Sequence, residues 1–387
     1  MNIMPDDPKK WIKAYRKLDE KKKYQCLLEI LSHEIPADFF DNIDLLGVIT
    51  DSLEYLKDTK QHEKMIELYD KVHPWKESLE EWFYCDSILI DDYLYCGNIA
   101  GIKKHMDSFL TNPVNSIDMF IPIVDKAVYY DYSNLVLDIS LSMYDKVKDA
   151  KGLVPGTEYE FGSRIYTEKL QSIYSDLKNN ITVNEDDIVE YLGKYGYNMK
   201  GDTGFVVELL EPGNDKKLNA SDYRENKKDF SYALMLKFCR YMLDAKNVNF
   251  STSYDIFYIA YDSFKRKSPG ATGSFDGVFE LDEEKYNEEI SDRLGYISNK
   301  RTCGIAASWG MTYVYDFLYQ QEYISDKVYN NALKVIDGIK AEIIEGYANN
   351  LWEYDFVHVW EKPESIRADD FAAEKKLFRD TFEHQKV

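Results

Sequence analysis

Apolar residues recur every three or four positions through the first 150 residues, and this spacing limits the fold more than any other feature of the sequence. It is the period of an amphipathic helix that buries one face. The segment from Thr59 to Val72 is a clear example. Its apolar face consists of Met65, Leu68, Tyr69 and Val72. We therefore predict a helix there, with the intervening charged residues in solvent.

Similar segments precede and follow this helix. They run from about residue 37 to 58 and from about residue 75 to 96, and prolines separate them because proline cannot continue a helix. The breaks are predicted at Pro36, Pro74 and Pro113. This part of the chain is therefore expected to contain consecutive helices of ordinary length.

A weak internal repeat relates these helices. The sequence Tyr69–Val72 returns as Tyr144–Val147, and Met106 and Phe109 occupy the equivalent positions halfway between the two. The spacing is that of one helix-turn-helix unit. Units of this kind bury their apolar faces only by stacking on one another. The repeat predicts a stacked array of helix pairs.

The segments 51–74, 91–113 and 125–147 resemble the tetratricopeptide-like and related helical-repeat families, with Gly97, Pro74 and Pro113 near the unit boundaries. The resemblance implies an α-solenoid-like, right-handed stack of antiparallel helix pairs. It also implies a surface that binds proteins or peptides.

Regular spacing fails at residues 151–156, where two glycines and a proline interrupt the helical pattern. We predict a helix-pair repeat domain over residues 1–150 and an irregular α-helical domain over residues 151–387. The fold class is thus all-α, with at most one or two short strands. One such strand is predicted at residues 205–210, the run Phe-Val-Val-Glu-Leu-Leu.

The second domain is expected to contain several longer helices and one prominent loop. The helices are predicted at 157–178, 184–193, 222–246, 253–265, 305–320 and 325–346, and the loop at 267–277. The small residues Gly304, Ala306, Ala307 and Gly310 indicate a helix that approaches another backbone closely.

The chain carries 48 basic and 69 acidic residues, which leave a formal charge of -21. This charge repels phosphate backbones and excludes general nucleic-acid binding. An acidic surface serves solubility or attracts a basic partner. No apolar stretch is long enough for a membrane span or an export signal, so we predict a cytoplasmic protein without a membrane partner.

The sequence indicates no cofactor and no metal site. Its five cysteines are widely spaced and form no C-x-x-C pair, so they are expected to be reduced. His62-Glu63 opens like a zinc-protease helix, but Ile66 occupies the position of the second histidine.

An enzyme of the all-α toroid type would need two carboxylates, one as acid and one as base or nucleophile. Asp91 and Asp92, with Asp86 near Trp82, are the candidates in the first domain. Asp355 is the candidate in the second, because aromatic residues surround it in the sequence.

Aromatic side chains are the candidates for a binding surface, since large rings dominate recognition contacts. The residues considered are Trp82, Tyr93, Trp352, Tyr354 and Trp360. The segment 352–360 is either a half-exposed strand, with its aromatic residues on one face, or the end of the preceding helix.

These features favour a protein- or peptide-binding helical-repeat module. Such a module could be an acidic inhibitor or immunity-type protein, or an adaptor for a basic partner. The alternative is a toroid enzyme that acts on carbohydrate through paired carboxylates. A purely structural oligomer subunit is a third possibility, and the sequence leaves the oligomeric state open.

Overall fold

The computed structural model describes residues 8–32, 43–79, 81–111, 113–214, 216–270, 273–295, 298–348 and 350–382. Within these ranges every regular element is a helix and no sheet is formed. A single isolated antiparallel bridge joins Phe264 and Leu281 in the described part of the chain. The all-α class predicted from the apolar spacing is therefore confirmed.

The helices have the following bounds, numbered here in chain order over the described residues. They are α1 Pro8–Tyr15, α2 Glu20–Leu31, α3 Leu45–Asp58, α4 His62–Val72, α5 Phe83–Cys96, α6 Ile99–His105, α7 Asp107–Thr111, α8 Pro113–Tyr129, α9 Ser133–Lys148, α10 Glu158–Lys178, α11 Glu185–Gly193, α12 Thr203–Leu210, α13 Ala220–Glu225, α14 Lys227–Lys246, α15 Phe250–Ser263, α16 Asp276–Phe279, α17 Glu283–Leu294, α18 Arg301–Gln320, α19 Asp326–Tyr347 and α20 Ala368–Phe382. Two 3-10 helices cover His73–Ser78 and Leu351–His358.

The chain divides into two compact units, one ending at Ile123 and the other running from Val124 to Glu383. The division falls inside helix α8. Helix α9 packs against α10 within the second unit, so the boundary predicted near residue 150 lies inside that unit.

The first unit is built from consecutive helices that pack on their neighbours. Helix α3 contacts α2, α4 and α5. The predicted apolar face of α4 is fully buried, as its period requires. Pro36 and the start of the helix predicted at residue 37 lie outside the described residues. A right-handed solenoid of stacked pairs remains a prediction.

The second unit is organised around α18, whose side chains are buried all round from Thr302 to Leu318. Helices α14, α15, α17 and α19 and the second 3-10 helix surround it. Most of these side chains are apolar, and a helix that is largely apolar all round belongs in the centre of a protein.

Glycine at position 310 makes this central packing possible. A Cβ atom added there would lie 2.6 Å from Ile256 Cδ1 of α15. Because such a separation is well below van der Waals contact, any larger side chain at this position would clash with the Ile256 side chain and force a local shift. The small-residue spacing thus predicted the close helix approach correctly.

Two sequence predictions are wrong in this unit. Residues 205–210 are helical and not a strand, because the side chains that are buried, Val206, Leu209 and Leu210, follow helical spacing. The helix predicted at 222–246 is two helices, since Asn226 adopts extended backbone angles and caps the start of α14.

No helix among the described residues is both long and apolar enough to cross a lipid bilayer.

Candidate functional site

Asp91 and Asp92 lie next to each other on α5 but face different basic groups. Asp91 is half-buried, and its Oδ2 atom is 3.6 Å from Lys57 Nζ. Asp92 is buried against His62 Nδ1. Adjacent helical residues point about 100° apart. The two carboxylates therefore do not converge in the way that an acid and base pair requires.

Asp86 belongs to a buried polar network in the first unit. Its Oδ1 atom accepts a hydrogen bond from the Tyr69 hydroxyl at 2.5 Å and lies 2.9 Å from His105 Nδ1. Trp82 Nε1 donates to the Tyr69 hydroxyl at 3.0 Å. Burial by itself raises the pKa of Asp86, but hydrogen bonds from His105, Tyr69 and Ser108 outweigh burial and hold that pKa below its ordinary value. Asp86 is thus a structural anion.

The replacement Asp86→Asn should lower the free energy of unfolding of the first unit by about 1.5–3 kcal/mol, the range for hydrogen bonds to charged groups. Urea unfolding at neutral pH measures this change. Asp70→Asn is the matched control, because Asp70 is an exposed residue on α4 with no described ion pair. Equal losses for both variants would contradict a role for the buried network.

Asp355 is half-buried in the second 3-10 helix. The Tyr130 hydroxyl lies 2.8 Å from its Oδ1 atom and 2.6 Å from the Glu353 carbonyl oxygen. Glu353 in turn pairs with Lys126 at 3.1 Å. These contacts fasten the 3-10 helix to α8 within the second unit.

The five aromatic side chains considered for binding are all buried. They are Trp82, Tyr93, Trp352, Tyr354 and Trp360. The segment 352–360 is a 3-10 helix over most of its length and not an extended strand, so it presents no aromatic strip to solvent. In this conformation these rings contribute packing to the two cores and no exposed contact surface.

A groove with an acidic rim lies in the second unit, between the start of α17 and the exposed side of α19. We call it the acidic groove, and it encloses about 610 Å³. Its lining comprises Lys265, Glu280, Leu281, Asp282, Glu283, Glu284, Val328, Asn331, Ala332, Lys334, Val335, Gly338, Ile339 and Glu342. This size is within the range of clefts that bind ligands.

One edge of the acidic groove is formed by two chain segments that run antiparallel. Lys265 N donates to the Glu280 carbonyl oxygen at 3.0 Å, and Asp282 N donates to the Ser263 carbonyl oxygen at 2.9 Å. The Asp282 side chain then accepts a hydrogen bond from Lys285 N and caps α17. The edge is thereby held by main-chain contacts and does not depend on flexible side chains.

The floor of the acidic groove is an apolar stripe on α19. Val328, Ala332, Val335 and Ile339 follow spacings of four, three and four residues, which place them on one helix face. Ala332 and Ile339 are buried, whereas the two valines remain half-exposed. Gly338 opens the floor further, since a Cβ there would meet no atom within 4 Å.

The rim of the acidic groove holds five carboxylates and two lysines. Glu280 is neutralised by Lys265, whose Nζ is 2.9 Å away. Glu283, Glu284 and Glu342 form no ion pair with any described residue. The rim therefore carries negative charge that the surrounding chain leaves uncompensated, beside an apolar surface.

A smaller pocket of about 160 Å³ surrounds the buried guanidinium of Arg164. Arg164 Nη1 is 2.7 Å from Asp255 Oδ2, and Nη2 is 3.0 Å from Asp125 Oδ1. Lys300 Nζ contacts Asp125 at 3.2 Å and Glu160 at 2.7 Å. Each carboxylate is thus bonded to a cation. The arrangement is that of an internal ion network and does not provide a proton donor and acceptor pair.

Cys303 borders the same pocket but is not an activated nucleophile. Burial, and then the nearby Asp255 carboxylate, raise the pKa of its thiol to about 12. At neutral pH the thiol stays protonated, and the thiolate is the reactive form.

The predicted loop at 267–277 is anchored by its C-terminal end. Phe275 is buried and stacks on Phe230 with ring centroids 5.2 Å apart. Residues 273–275 line a further pocket of about 660 Å³ with residues 217–221 and 322–325. Residues 271 and 272 lie outside the described chain.

Within the described chain, a single group of three potential ligands has donor atoms close enough to share a metal ion. It consists of His62, Asp92 and Cys96 in the first unit. The sequence contains no histidine pair or C-x-x-C pair at metal-ligand spacing and therefore predicts no metal site. The four-residue spacing of Asp92 and Cys96 is the signal that was available, since it places both side chains on one helix face.

The acidic groove was also missed. Its two sides are separated by about fifty residues of sequence, and no motif marks either of them. Two signals were present in the sequence, the apolar stripe of α19 and the glutamate pair at 283–284. Whether that stripe is exposed beside the glutamates depends on how α17 packs.

Comparison with known proteins found no matching family model, no matching curated protein and no matching solved structure.

Proposed function

We propose that the protein is a binding module for a basic protein or peptide, and that the acidic groove holds an amphipathic segment of this partner. The observation that carries the proposal is the combination of an apolar floor with Glu283, Glu284 and Glu342, which lack ion-pair partners in the described chain. Such a surface matches a segment with apolar residues on one face and lysine or arginine on the other.

The charges determine which partner fits. An acidic or neutral segment would leave the rim carboxylates uncompensated on binding, whereas a basic one would pair with them. The formal charge of -21 would also speed the encounter with a basic protein. The apolar floor then supplies the contact area that keeps the partner in place.

This proposal agrees with the resemblance of the segments 51–74, 91–113 and 125–147 to helical-repeat proteins, which bind peptides and proteins. In biological terms, an acidic module of this kind acts as an inhibitor, an immunity-type protein or an adaptor for a basic partner. A carbohydrate-active enzyme is less well supported, because the carboxylates in the Arg164 pocket are bonded to cations.

The test uses a fluorescein-labelled helical peptide with leucines at positions i, i+3, i+4 and i+7 and lysines elsewhere. Fluorescence anisotropy measures its binding to the full chain at low and high salt. A peptide in which glutamate replaces lysine serves as the charge control. We expect saturable binding of the lysine peptide only, weakened as salt screens the rim charges.

The replacement Gly338→Trp should weaken binding of the lysine peptide about tenfold or more, because the indole would fill the space above the groove floor. A tenfold loss corresponds to about 1.4 kcal/mol of binding free energy. The fold should tolerate the change, because a Cβ at 338 meets open space and glycine is a poor helix former. Gly346→Trp is the matched control, since Gly346 is also open, lies on α19 and is not part of the groove lining.

Neutralising the rim gives a second, independent measurement. Glu284→Gln with Glu342→Gln should weaken binding at low salt by about tenfold, whereas the exposed pair Glu288→Gln with Glu345→Gln on the same helices should change it about twofold or less. Unchanged binding in both the Gly338→Trp protein and the neutralised protein would refute the groove as the binding site.

A further inference from the structure

We propose that His62, Asp92 and Cys96 form a binding site for one divalent transition-metal ion, with Zn²⁺ as the preferred occupant. Each side chain offers one ligand atom, and these atoms all lie within 4.8 Å of one another. The site belongs to the first unit and does not depend on the acidic groove.

Two packed helices bring the three ligands together. Asp92 and Cys96 are four residues apart near the C-terminal end of α5, so they share one face of that helix. His62 is the first residue of α4, and α4 packs against α5. The ligands therefore come from helical positions, which hold side chains in fixed directions better than loops do.

The surroundings of Asp92 point to a bound cation. Its side chain is 2% exposed, and its Oδ1 atom accepts no hydrogen bond from any described residue. Oδ1 and His62 Nδ1 lie in close contact, but their arrangement lacks hydrogen-bond geometry. A buried carboxylate oxygen without a hydrogen bond is unfavourable. A bound cation would give Asp92 Oδ1 a ligand bond in place of the missing hydrogen bond.

The donor set selects the metal. A thiolate, an imidazole and a carboxylate together favour Zn²⁺ and similar borderline ions, whereas Mg²⁺ and Ca²⁺ require oxygen ligands. Zinc bonds of about 2.0–2.3 Å in a tetrahedron separate the ligand atoms by about 3.4 Å. In the structure the three ligand atoms lie within 4.8 Å of one another, and metal binding would bring them to this common separation.

The site would have three protein ligands, with a fourth position left for water or another small ligand. Cys96 is half-buried, so an ion can approach from its side. Bound metal would fasten the start of α4 to the end of α5. Because it binds the folded unit more tightly than the unfolded chain, it should raise the thermal stability of that unit.

Cobalt is the probe, since Co²⁺ adopts zinc geometry and its spectrum reports a thiolate ligand. Titration of the reduced full chain with Co²⁺ should reach one ion per chain, with a sulfur-to-cobalt charge-transfer band in the near ultraviolet. Zn²⁺ should then displace the cobalt and abolish the band. Zn²⁺ should also shift the thermal transition of the wild-type chain upward.

Cys96→Ser and His62→Gln should each weaken Zn²⁺ binding by more than about 100-fold, because each removes a direct ligand. Loss of a residue that only supports a ligand costs roughly 10- to 100-fold. Cys26→Ala is the matched control, because Cys26 is another thiol of the first unit outside the ligand group, and this variant should bind like the wild type. Circular dichroism without metal checks that each variant is folded.

The wild-type spectrum keeps the proposal testable even if a variant misfolds. Absence of the charge-transfer band from wild-type chain saturated with Co²⁺ would overturn the site, because it would exclude Cys96 as a ligand. Zn²⁺ binding by folded Cys96→Ser protein as tight as that of the wild type would overturn it as well.

Discussion

Replacing Arg164 with methionine should lower the free energy of unfolding of the second unit by about 3–5 kcal/mol, because removing one partner of a buried ion network leaves its charges uncompensated. Arg164 is buried between Asp125 and Asp255. Burial by itself lowers the pKa of Arg164, but Asp255 and Asp125 outweigh burial and hold that pKa well above its ordinary value. The guanidinium therefore remains charged at any pH at which the protein folds.

The measurement is urea unfolding of the full chain, with the transition of the second unit followed separately. Lys178→Met is the matched control, since Lys178 lies on the same helix but forms an exposed ion pair with Asp244. It should change stability by about 1 kcal/mol or less. Adding Asp255→Asn to Arg164→Met should recover part of the loss. A loss of the same size in both single variants would contradict the importance of burial.

His358 should make the second unit sensitive to acid. The ring is buried against Phe378, with ring centroids 4.0 Å apart, and neither ring nitrogen forms a hydrogen bond with a described residue. Burial, together with repulsion from Lys340 and Lys375, lowers the pKa of His358 to about 3. The unfolded chain has an ordinary histidine pKa of about 6.5.

Between these two pKa values the unfolded chain binds a proton that the folded chain does not. Stability therefore rises with pH over this window. The contribution of His358 to the free energy of unfolding is complete above about pH 6.5 and is lost as the pH falls towards 3. The total loss is roughly 3–5 kcal/mol, since each pKa unit corresponds to about 1.4 kcal/mol.

The replacement His358→Phe should flatten the dependence of unfolding free energy on pH between about 6.5 and 4, because it removes this proton uptake while keeping a buried ring. Urea unfolding at a series of pH values measures the slope. His73→Gln is the control, since His73 is exposed and its loss should leave the slope of the second unit unchanged. A wild-type slope in the His358→Phe protein would exclude His358 as the source.

Most helices were predictable because their apolar spacing and their breaks are local properties. The apolar face of α4 and the interruption at 151–156 follow directly from residue order. The exception at 205–210 has a physical reason. Val206 and Val207 favour a strand, but burial of Val206, Leu209 and Leu210 by neighbouring helices decides in favour of α12.

The candidate sites were harder to predict because tertiary packing creates them. The aromatic residues with the largest binding potential, such as Trp352 and Trp360, are used in the core. Two of the three proposed metal ligands, Asp92 and Cys96, could be placed on one helix face from their four-residue spacing. The position of His62 beside them depends on how α4 packs on α5. No local sequence pattern predicts this packing.

The burial of α18 on all sides also determines how small a working fragment of the protein can be. Helices α17 and α19, which form the acidic groove, both rest on this central helix, and they precede and follow it in sequence. A peptide containing only those two helices would lack the surface that holds them apart at the right distance. A fragment that keeps the shape of the groove must therefore retain α18 together with α17 and α19.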